Sequence, residues 1–358
     1  MTGAIILAGG TGGHVFPGLA VARTLMAENM KVTWIGTRYG IEARTVPDAG
    51  IELDEITISG LRGKGLLGWL LLPIRLGLAV IQSLYIINKR EPGVVLAMGG
   101  FVSGPGAIAA WLLRKPLVVH EQNAVPGLTN RMLALIADRV LCGFPDAFGE
   151  AIAAKHVGNP VREDIIAIER PATRLNRQDS TIRILVIGGS QGAAMFNRIM
   201  PQVFQTLQNH LLLDVWHQCG VMQEQLTRTS YADLKIGSRV TAFIEDINEA
   251  YSWADLIVCR AGAMTVSEIS VVGIAAILVP YPHAVDDHQT VNARFLSERG
   301  AAILINESEF TVNHVAVLIR EFSENRDKLV EMAQAALACA MPDATEAVAD
   351  CCRELAHA

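Results

Sequence analysis

Short apolar runs alternate with stretches of helical spacing along almost the whole chain. The first run, residues 5–8, stops abruptly at Gly9-Gly10-Thr11-Gly12-Gly13-His14, and a helical pattern follows with Pro17 near its first turn. That order predicts a buried parallel strand, a tight backbone loop, and a helix whose unpaired N–H groups point back over the loop. Glycines there let the main chain approach a phosphate or sugar, because no Cβ stands in the way. Residues 31–36, 93–98, 116–120 and 138–142 read as further strands, with informative loops at 98–105 and 120–123. In a parallel sheet such loops gather at the carboxyl ends of the strands, where ligands collect.

About 180 residues later the device returns: residues 184–187 run into Gly188-Gly189-Ser190-Gln191-Gly192-Ala193. Strands then follow at 182–187, 211–216, 239–243, 255–259 and 275–280, with helices starting at Ala193, Ala263 and Asp287. The pattern predicts an α/β protein of two Rossmann-like, doubly wound parallel-sheet lobes with a cleft between them. The lobes divide as 1–160 and 161–342. Residues 161–181, of mixed charge with Pro171 and no apolar period, read as the linker, and a helix over about 343–358 is expected to pack back on the first lobe.

Residues 61–90 stand apart. Leu66 to Ile81 is rich in leucine, but Arg75 interrupts it and Gly68 and Pro73 spoil the helix. The run falls short of the roughly 18–20 uninterrupted apolar residues that a bilayer-spanning helix needs. Part of it reads as a core helix. The leucines are too many for one buried stripe, however, so the segment also reads as a surface patch. Trp69 and its neighbours would enter lipid while Arg62, Lys64, Arg75, Lys89 and Arg90 meet anionic headgroups.

Composition narrows the class. The chain has 358 residues, enough for two full cores. It is 51% hydrophobic and only 18% charged, with a mean hydropathy of +0.32, which calls for an apolar surface as well as cores. A net charge of −6 argues against bulk nucleic-acid binding. Cysteines 142, 219, 259, 339, 351 and 352 show no C-x-x-C pairing and read as buried thiols of a reducing cytoplasm. The first strand begins at once, so no signal peptide is expected.

The glycine loops have neither P-loop nor G-x-G-x-x-G spacing, and the second strand ends Gly36-Thr37-Arg38 without the acidic residue a dinucleotide ribose wants. No D-x-D pair or His/Cys cluster at metal-ligand spacing appears, so neither metal nor cofactor is expected. A departing diphosphate would then be stabilised by helix N-termini and arginines. Ala263 to Glu268, following Cys259-Arg260-Ala261-Gly262, suits that role, and Glu268 could accept both hydroxyls of a ribose. Trp216, Met222 and Met264 read as packing residues, and Cys259 as a buried thiol rather than a nucleophile.

Eight motifs in order then carry a resemblance: Gly-Gly-Thr-Gly-Gly-His (9–14), Leu-Arg-Gly-Lys-Gly (61–65), Gly-Gly-Phe-Val-Ser-Gly-Pro (99–105), His-Glu-Gln-Asn (120–123), Gly-Asn-Pro-Val-Arg (158–162), Gly-Gly-Ser-Gln-Gly-Ala (188–193), Arg-Ala-Gly-Ala-Met-Thr-Val-Ser-Glu (260–268) and Asp-Asp-His-Gln-Thr-Val-Asn-Ala (286–293). Over nearly its whole length the chain resembles the MurG family of peptidoglycan N-acetylglucosaminyltransferases, which are GT-B enzymes. The resemblance implies an inverting transfer of GlcNAc from UDP-GlcNAc to the C4 hydroxyl of lipid I (undecaprenyl-diphospho-MurNAc-pentapeptide), giving a β-1,4 link, lipid II and UDP. It implies donor binding mainly by the second lobe and acceptor binding by the first, at the cytoplasmic face of the bacterial inner membrane, with other cell-wall synthesis proteins as candidate partners.

By motif matching, Arg162 and Ser190 would contact the diphosphate or its surroundings, and Ile244 would offer its backbone to the uracil. Ala263, Met264, Thr265, Val266, Ser267 and Glu268 would hold phosphate and ribose. Gln289 and Asn292 would read the sugar, with His288 the alternative to Gln289, while Thr11, Gly12, Gly13 and Asn123 close the site from the first lobe. An interlobe salt bridge is the other role open to Arg162. His14 is the candidate base, since it sits at the loop–helix junction and histidine titrates near neutral pH. A hydrogen bond to the loop or to a phosphate is its other possible use. Glu121 is the reserve base, against a role in fixing its own loop. A UDP-sugar epimerase or hydrolase on the same fold, and a non-catalytic UDP-sugar-binding regulator, are the competing functions.

Overall fold

The computed structural model of the chain describes residues 3–58, 72–176, 180–189 and 192–357. They form two compact units, one of residues 1–162 with 341–358 and the other of residues 163–340.

In the first unit β1 (Gly3–Ala8), β2 (Val32–Gly36), β3 (Glu52–Glu55), β4 (Pro92–Gly99), β5 (Leu117–Glu121), β6 (Arg139–Cys142) and β7 (Ala154–His156) form one sheet in the order β3-β2-β1-β4-β5-β6-β7, paired parallel throughout. Alternate residues of β1 serve opposite cores. Ile6 and Ala8 pack with Val15 and Leu19 of the Gly12–Ala27 helix, whereas Ile5 and Leu7 pack with Ala79 and Ile87 of the Leu72–Arg90 helix. This is the period of two of a strand covered on both faces. The C-terminal helix, Ala344–His357, buries Val348, Ala349 and Cys352 in the first of these cores, and Thr345 Oγ1 donates to the Val161 carbonyl at 3.1 Å.

The second unit repeats the design. Its strands β8 (Ile182–Ile187), β9 (Leu213–Gln218), β10 (Gly237–Thr241), β11 (Leu256–Cys259), β12 (Ala275–Leu278) and β13 (Ala302–Leu304) lie in the order β10-β9-β8-β11-β12-β13, again parallel. In both sheets the winding reverses beside the first strand, between β1 and β4 and between β8 and β11. That reversal opens a crevice at the carboxyl ends of the strands. The glycine loops after β1, β4 and β8, and the Arg260–Gly262 turn after β11, all lie at these two points.

Several expectations need correction. Residues 161–181 are not a bare linker: Glu163–Ile166 and Pro171–Arg174 are short helices of the second unit, and Ile165, Pro171 and Arg174 are buried. Buried Arg174 donates to the Val272 carbonyl at 3.2 Å and to that of Gly273, which ends the Ala263–Val272 helix in a left-handed conformation, φ +66°. Burial brings the pKa of this guanidinium down to about 10. A cation among C-terminal carbonyls complements the helix dipole.

Pro73 lies within the Leu72–Arg90 helix instead of ending it. Arg90 is no headgroup ligand. It forms ion pairs with Glu52 and with Asp54 (Nε to Oδ2, 2.8 Å), tying the helix to edge strand β3. Arg62, Lys64 and Trp69 lie outside the described residues. No described helix is long and apolar enough to cross a membrane.

Candidate active site

The loop after β1 is shaped by a side chain the sequence did not single out. Glu42, fully buried, accepts from the Gly10 N–H at 3.1 Å with Oε2, and from the N–H and hydroxyl of Thr37 at 3.1 and 2.7 Å with Oε1. Gly9 must lack a side chain, since a Cβ there would stand 2.6 Å from Glu42 Oε1. Gly10 takes the left-handed conformation, φ +93°. Trp34 Nε1 holds the Ala8 carbonyl at 2.8 Å. The helix then starts at Gly12, earlier than the position of Pro17 suggests, with extended Thr11 as its N-cap and His14 in its first turn. Thr11 and Gly13 are exposed, and Gly12 is half-buried. The first-turn N–H groups of such a helix have no carbonyl partner within it and suit an anion.

His14 is half-buried and held by groups from two other loops. Its Nδ1 lies 2.8 Å from Gln122 Oε1. Gln122, itself buried, places Nε2 3.0 Å from His120 Nδ1 and 3.1 Å from the His120 carbonyl. His120 Nε2 reaches the Gly158 carbonyl at 2.9 Å. Burial pushes the His120 pKa down to about 4, so this imidazole is neutral at neutral pH.

Glu121 is committed elsewhere. Its Oε1 accepts from the backbone and side chain of Asn123 at 2.8 and 3.1 Å, and its Oε2 from the Gly127 N–H and Asn130 Nδ2 at 3.1 and 2.9 Å. With both oxygens occupied and the residue buried, this carboxylate fixes the loop that carries Asn123.

In the second unit the turn after β8 is built on close contacts. Gly192, φ +73°, could not carry a Cβ, which would come 2.1 Å from the Cys219 carbonyl. Gln218 Nε2 donates to the Gly189 carbonyl at 2.8 Å and Asn197 Nδ2 to that of Cys219 at 2.9 Å. Ser190 lies outside the described residues, as does Gln191.

The Ala263–Val272 helix begins directly after Gly262, which is extended and gives no side-chain cap. Met264, Thr265, Ser267 and Glu268 are half-buried, whereas Ala263 and Val266 are buried and offer only main chain. Glu268 Oε2 accepts from Tyr251 Oη at 2.8 Å, so a buried tyrosine orients the carboxylate expected to meet a ribose. Arg260 is locked in place: its guanidinium pairs with Glu307 at 2.6 Å, donates to the Val279 and Pro280 carbonyls at 3.2 and 3.1 Å, and stacks near Phe196 and Tyr281.

Before the His288–Ser297 helix, Asp286 and Asp287 both adopt left-handed backbone, φ +52° and +51°. Two such residues in succession are strained, which marks a shaped loop. His288 and Gln289 are half-buried, and Gln289 Oε1 accepts from the Tyr281 N–H at 2.9 Å. Asn292 differs from expectation. It is fully buried, its Nδ2 donating to the Ala261 carbonyl at 3.2 Å, so it braces the turn before the Ala263–Val272 helix from beneath. Ile244 is buried, and Arg162 is half-buried at the end of its segment of the first unit.

Cys259 is buried and its thiol pKa is raised by desolvation. Trp216 packs under Arg239, 4.1 Å from ring centre to guanidinium, but Met222, expected to pack, is 94% exposed. Among the described residues no group of His, Cys, Asp and Glu is placed to hold a metal ion.

The glycosyltransferase family 28 N-terminal domain matches residues 4–142, and the family 28 C-terminal domain matches residues 183–348. The UDP-N-acetylglucosamine–N-acetylmuramyl-(pentapeptide) pyrophosphoryl-undecaprenol N-acetylglucosamine transferase of Marinobacter nauticus is 46% identical over 353 residues, 99% of this chain and 97% of its own. The protein of that name from Nitrosococcus oceani is 47% identical over 352 residues, 98% of each chain. The crystal structure of Acinetobacter baumannii MurG superposes with a TM-score of 0.86 at 38% identity, covering 99% of this chain and 100% of that one.

Proposed function

The chain belongs to glycosyltransferase family 28, and from that membership and the two loop clusters we propose that it transfers N-acetylglucosamine from UDP-GlcNAc to lipid I. The acceptor is the C4 hydroxyl of the MurNAc residue, and the products are lipid II and UDP. His14 takes the hydroxyl proton as the oxygen attacks C1 of the α-linked donor from the face opposite the diphosphate. The C1–O bond to the diphosphate breaks, its electron pair leaves with UDP, and the new link is β-1,4. The N-terminus of the Ala263–Val272 helix, with Arg162 and Ser190, meets the negative charge that builds on the leaving group.

Met264, Thr265, Ser267 and the main chain of Ala263 and Val266 hold the donor phosphate and ribose, and Glu268 takes the ribose hydroxyls. The Ile244 backbone meets the uracil. Gln289, rather than His288, reads the sugar hydroxyls, and Asn292 acts only through the loop it braces. Thr11, Gly12, Gly13 and Asn123 contribute from the first unit. One observation carries the reading: in each sheet the reversal point holds one half of the chemistry, an imidazole against two glycine loops after β1 and β4, and an open helix N-terminus after β11.

The same reading places the enzyme at the cytoplasmic face of the inner membrane. The Leu72–Arg90 helix exposes Ile74, Leu78, Ile81 and Tyr85 at helical spacing. It packs on the Ser103–Leu112 helix, which packs in turn on Leu128–Leu133, and these add exposed Trp111, Leu112, Leu128 and Met132. Arg75 and Lys89, both exposed, supply positive charge for anionic headgroups.

The test is label transfer from radiolabelled UDP-GlcNAc to a short-chain lipid I analogue, run with and without EDTA. Label in the lipid product supports the transferase, and the EDTA arm reads any need for a divalent metal. Epimerised or hydrolysed donor without acceptor would establish the sugar-nucleotide alternative. Binding without turnover would leave a regulator.

A further inference from the structure

The hydrogen-bond chain behind His14 has a direction, set at its inner end. The Gly158 carbonyl can only accept, so His120 Nε2, 2.9 Å away, carries a hydrogen. The His120 ring is fully buried and neutral, so that hydrogen is its only one and Nδ1 holds a lone pair. The group 3.0 Å from this lone pair must donate, and it is the amide nitrogen of Gln122, which also donates to the His120 carbonyl at 3.1 Å. The amide oxygen is thereby turned toward His14 Nδ1 at 2.8 Å, and it too can only accept. His14 Nδ1 therefore carries the hydrogen, and the lone pair of the neutral ring is on Nε2.

The backing is rigid. Asn159 Nδ2 holds the Gln122 carbonyl at 2.9 Å, and Asn130 Nδ2 holds the His120 carbonyl at 3.3 Å. Gly158 keeps its position at φ +85°, where a Cβ would strike Met341 Cβ at 2.6 Å.

We infer that Gln122, held by His120 and the Gly158 carbonyl, is a positioning residue that fixes the tautomer of His14 and presents Nε2 as the basic nitrogen. The inference rests on the reading of His14 as the base. An amide suits the task because it dictates where the ring hydrogen sits without adding a charge beside it. Once Nε2 has taken the acceptor proton, the Nδ1–H bond to Gln122 is kept, so no partner has to reorganise during the step.

The first measurement needs no variant. In protein labelled with 15N-histidine, at a pH high enough to keep imidazole rings neutral, the His14 resonances, assigned by their loss in His14→Ala, should show Nδ1 protonated and Nε2 bare. A neutral ring that carries its hydrogen on Nε2 overturns the inference. Gln122→Met, of similar length without acceptor or donor, should give His14 a mixture of tautomers and lower kcat by about 10–10²-fold, with the KM for UDP-GlcNAc unchanged. An unaltered tautomer, or a change confined to thermal stability, would mean that Gln122 only packs. If His14→Ala keeps its kcat, the base reading fails and this inference fails with it. A crippled His14→Ala beside a fully active Gln122→Met removes the positioning role alone.

Discussion

Gly99 presses its main chain against the His14 imidazole: a Cβ at this residue would stand 3.0 Å from both Cε1 and Nδ1 of the ring. With φ +106° it also occupies a backbone region that side chains rarely adopt. Gly99→Ala should therefore push the ring away from Gln122. We expect kcat to fall by about 10–10²-fold, with a stability loss of about 1–3 kcal/mol from the backbone strain. The KM for UDP-GlcNAc should hold, because the residues proposed to hold the donor's phosphate and ribose, Ala263 to Glu268, belong to the other unit. Steady-state kinetics with both substrates varied separates the two, and a loss appearing only in donor KM would contradict this account.

Tyr251 and Glu268 make the matching case in the second unit. The phenol is buried and its hydroxyl is 2.8 Å from the carboxylate, so it restricts where the carboxylate can point. Tyr251→Phe keeps the ring and removes the restraint. A bond of this kind contributes on the order of 1 kcal/mol, which predicts a donor KM raised about 3–10-fold with kcat nearly unchanged. Titration calorimetry with UDP should show the same weakening. Equal affinity in the two proteins would mean that Glu268 does not meet the ribose.

Much of this design can be read from the sequence, and the failures have a common cause. The central strands are continuous apolar runs flanked by glycine, and residues 182–187 coincide with β8. Strands β3 (Glu-Leu-Asp-Glu) and β7 (Ala-Lys-His) carry no such run; they exist because a neighbouring strand offers an open ladder. The same holds for function. His14 stands out because glycines surround it in the chain, whereas Gln122, its partner, is 108 residues away. Glu42 lies 32 residues from the Gly10 N–H it holds. Motif matching put Asn292 on the sugar, and only the folded structure shows it buried and bonded to the Ala261 carbonyl. Local patterns announce strands and glycine turns. They carry no signal for a contact made by the folded sheet.

Two buried histidines make stability depend on pH. Burial holds His120 of the first unit at a pKa of about 4 and His217 of the second at about 3. In the unfolded chain both take a proton near pH 6.5. Their folded values are depressed, so the unfolded state binds more protons as pH falls below about 6.5, and stability declines toward the folded values. Above pH 6.5 the two residues impose no penalty. At the low-pH limit the loss is roughly 3 kcal/mol for His120 and about 4–5 for His217. Denaturation followed from pH 7 to pH 4 should show this slope. His217→Gln should flatten the part that belongs to the second unit. A wild-type curve level from pH 6.5 to pH 4 would contradict it.

The membrane reading makes a prediction that separates docking from catalysis. Ile74, Leu78, Ile81 and Tyr85 are 54–69% exposed on one helix whose opposite side buries Ala79, Ser83, Ile86 and Ile87 in the core. Each aliphatic side chain moved from water into acyl chains contributes about 1.5–3 kcal/mol, and each basic residue near an anionic surface about 1 kcal/mol. Leu78→Ser and Ile81→Ser should therefore each weaken binding to phosphatidylglycerol-containing vesicles about 10-fold or more, at any salt concentration. Arg75→Glu and Lys89→Glu should weaken it mainly at low salt, because headgroup attraction is screened. Arg90→Glu should behave differently, lowering thermal stability through its lost pairs with Glu52 and Asp54. With a water-soluble acceptor analogue, all four docking variants should keep wild-type kcat. Vesicle sedimentation unchanged in Leu78→Ser and Ile81→Ser would remove this face from the account and leave the transfer chemistry untouched.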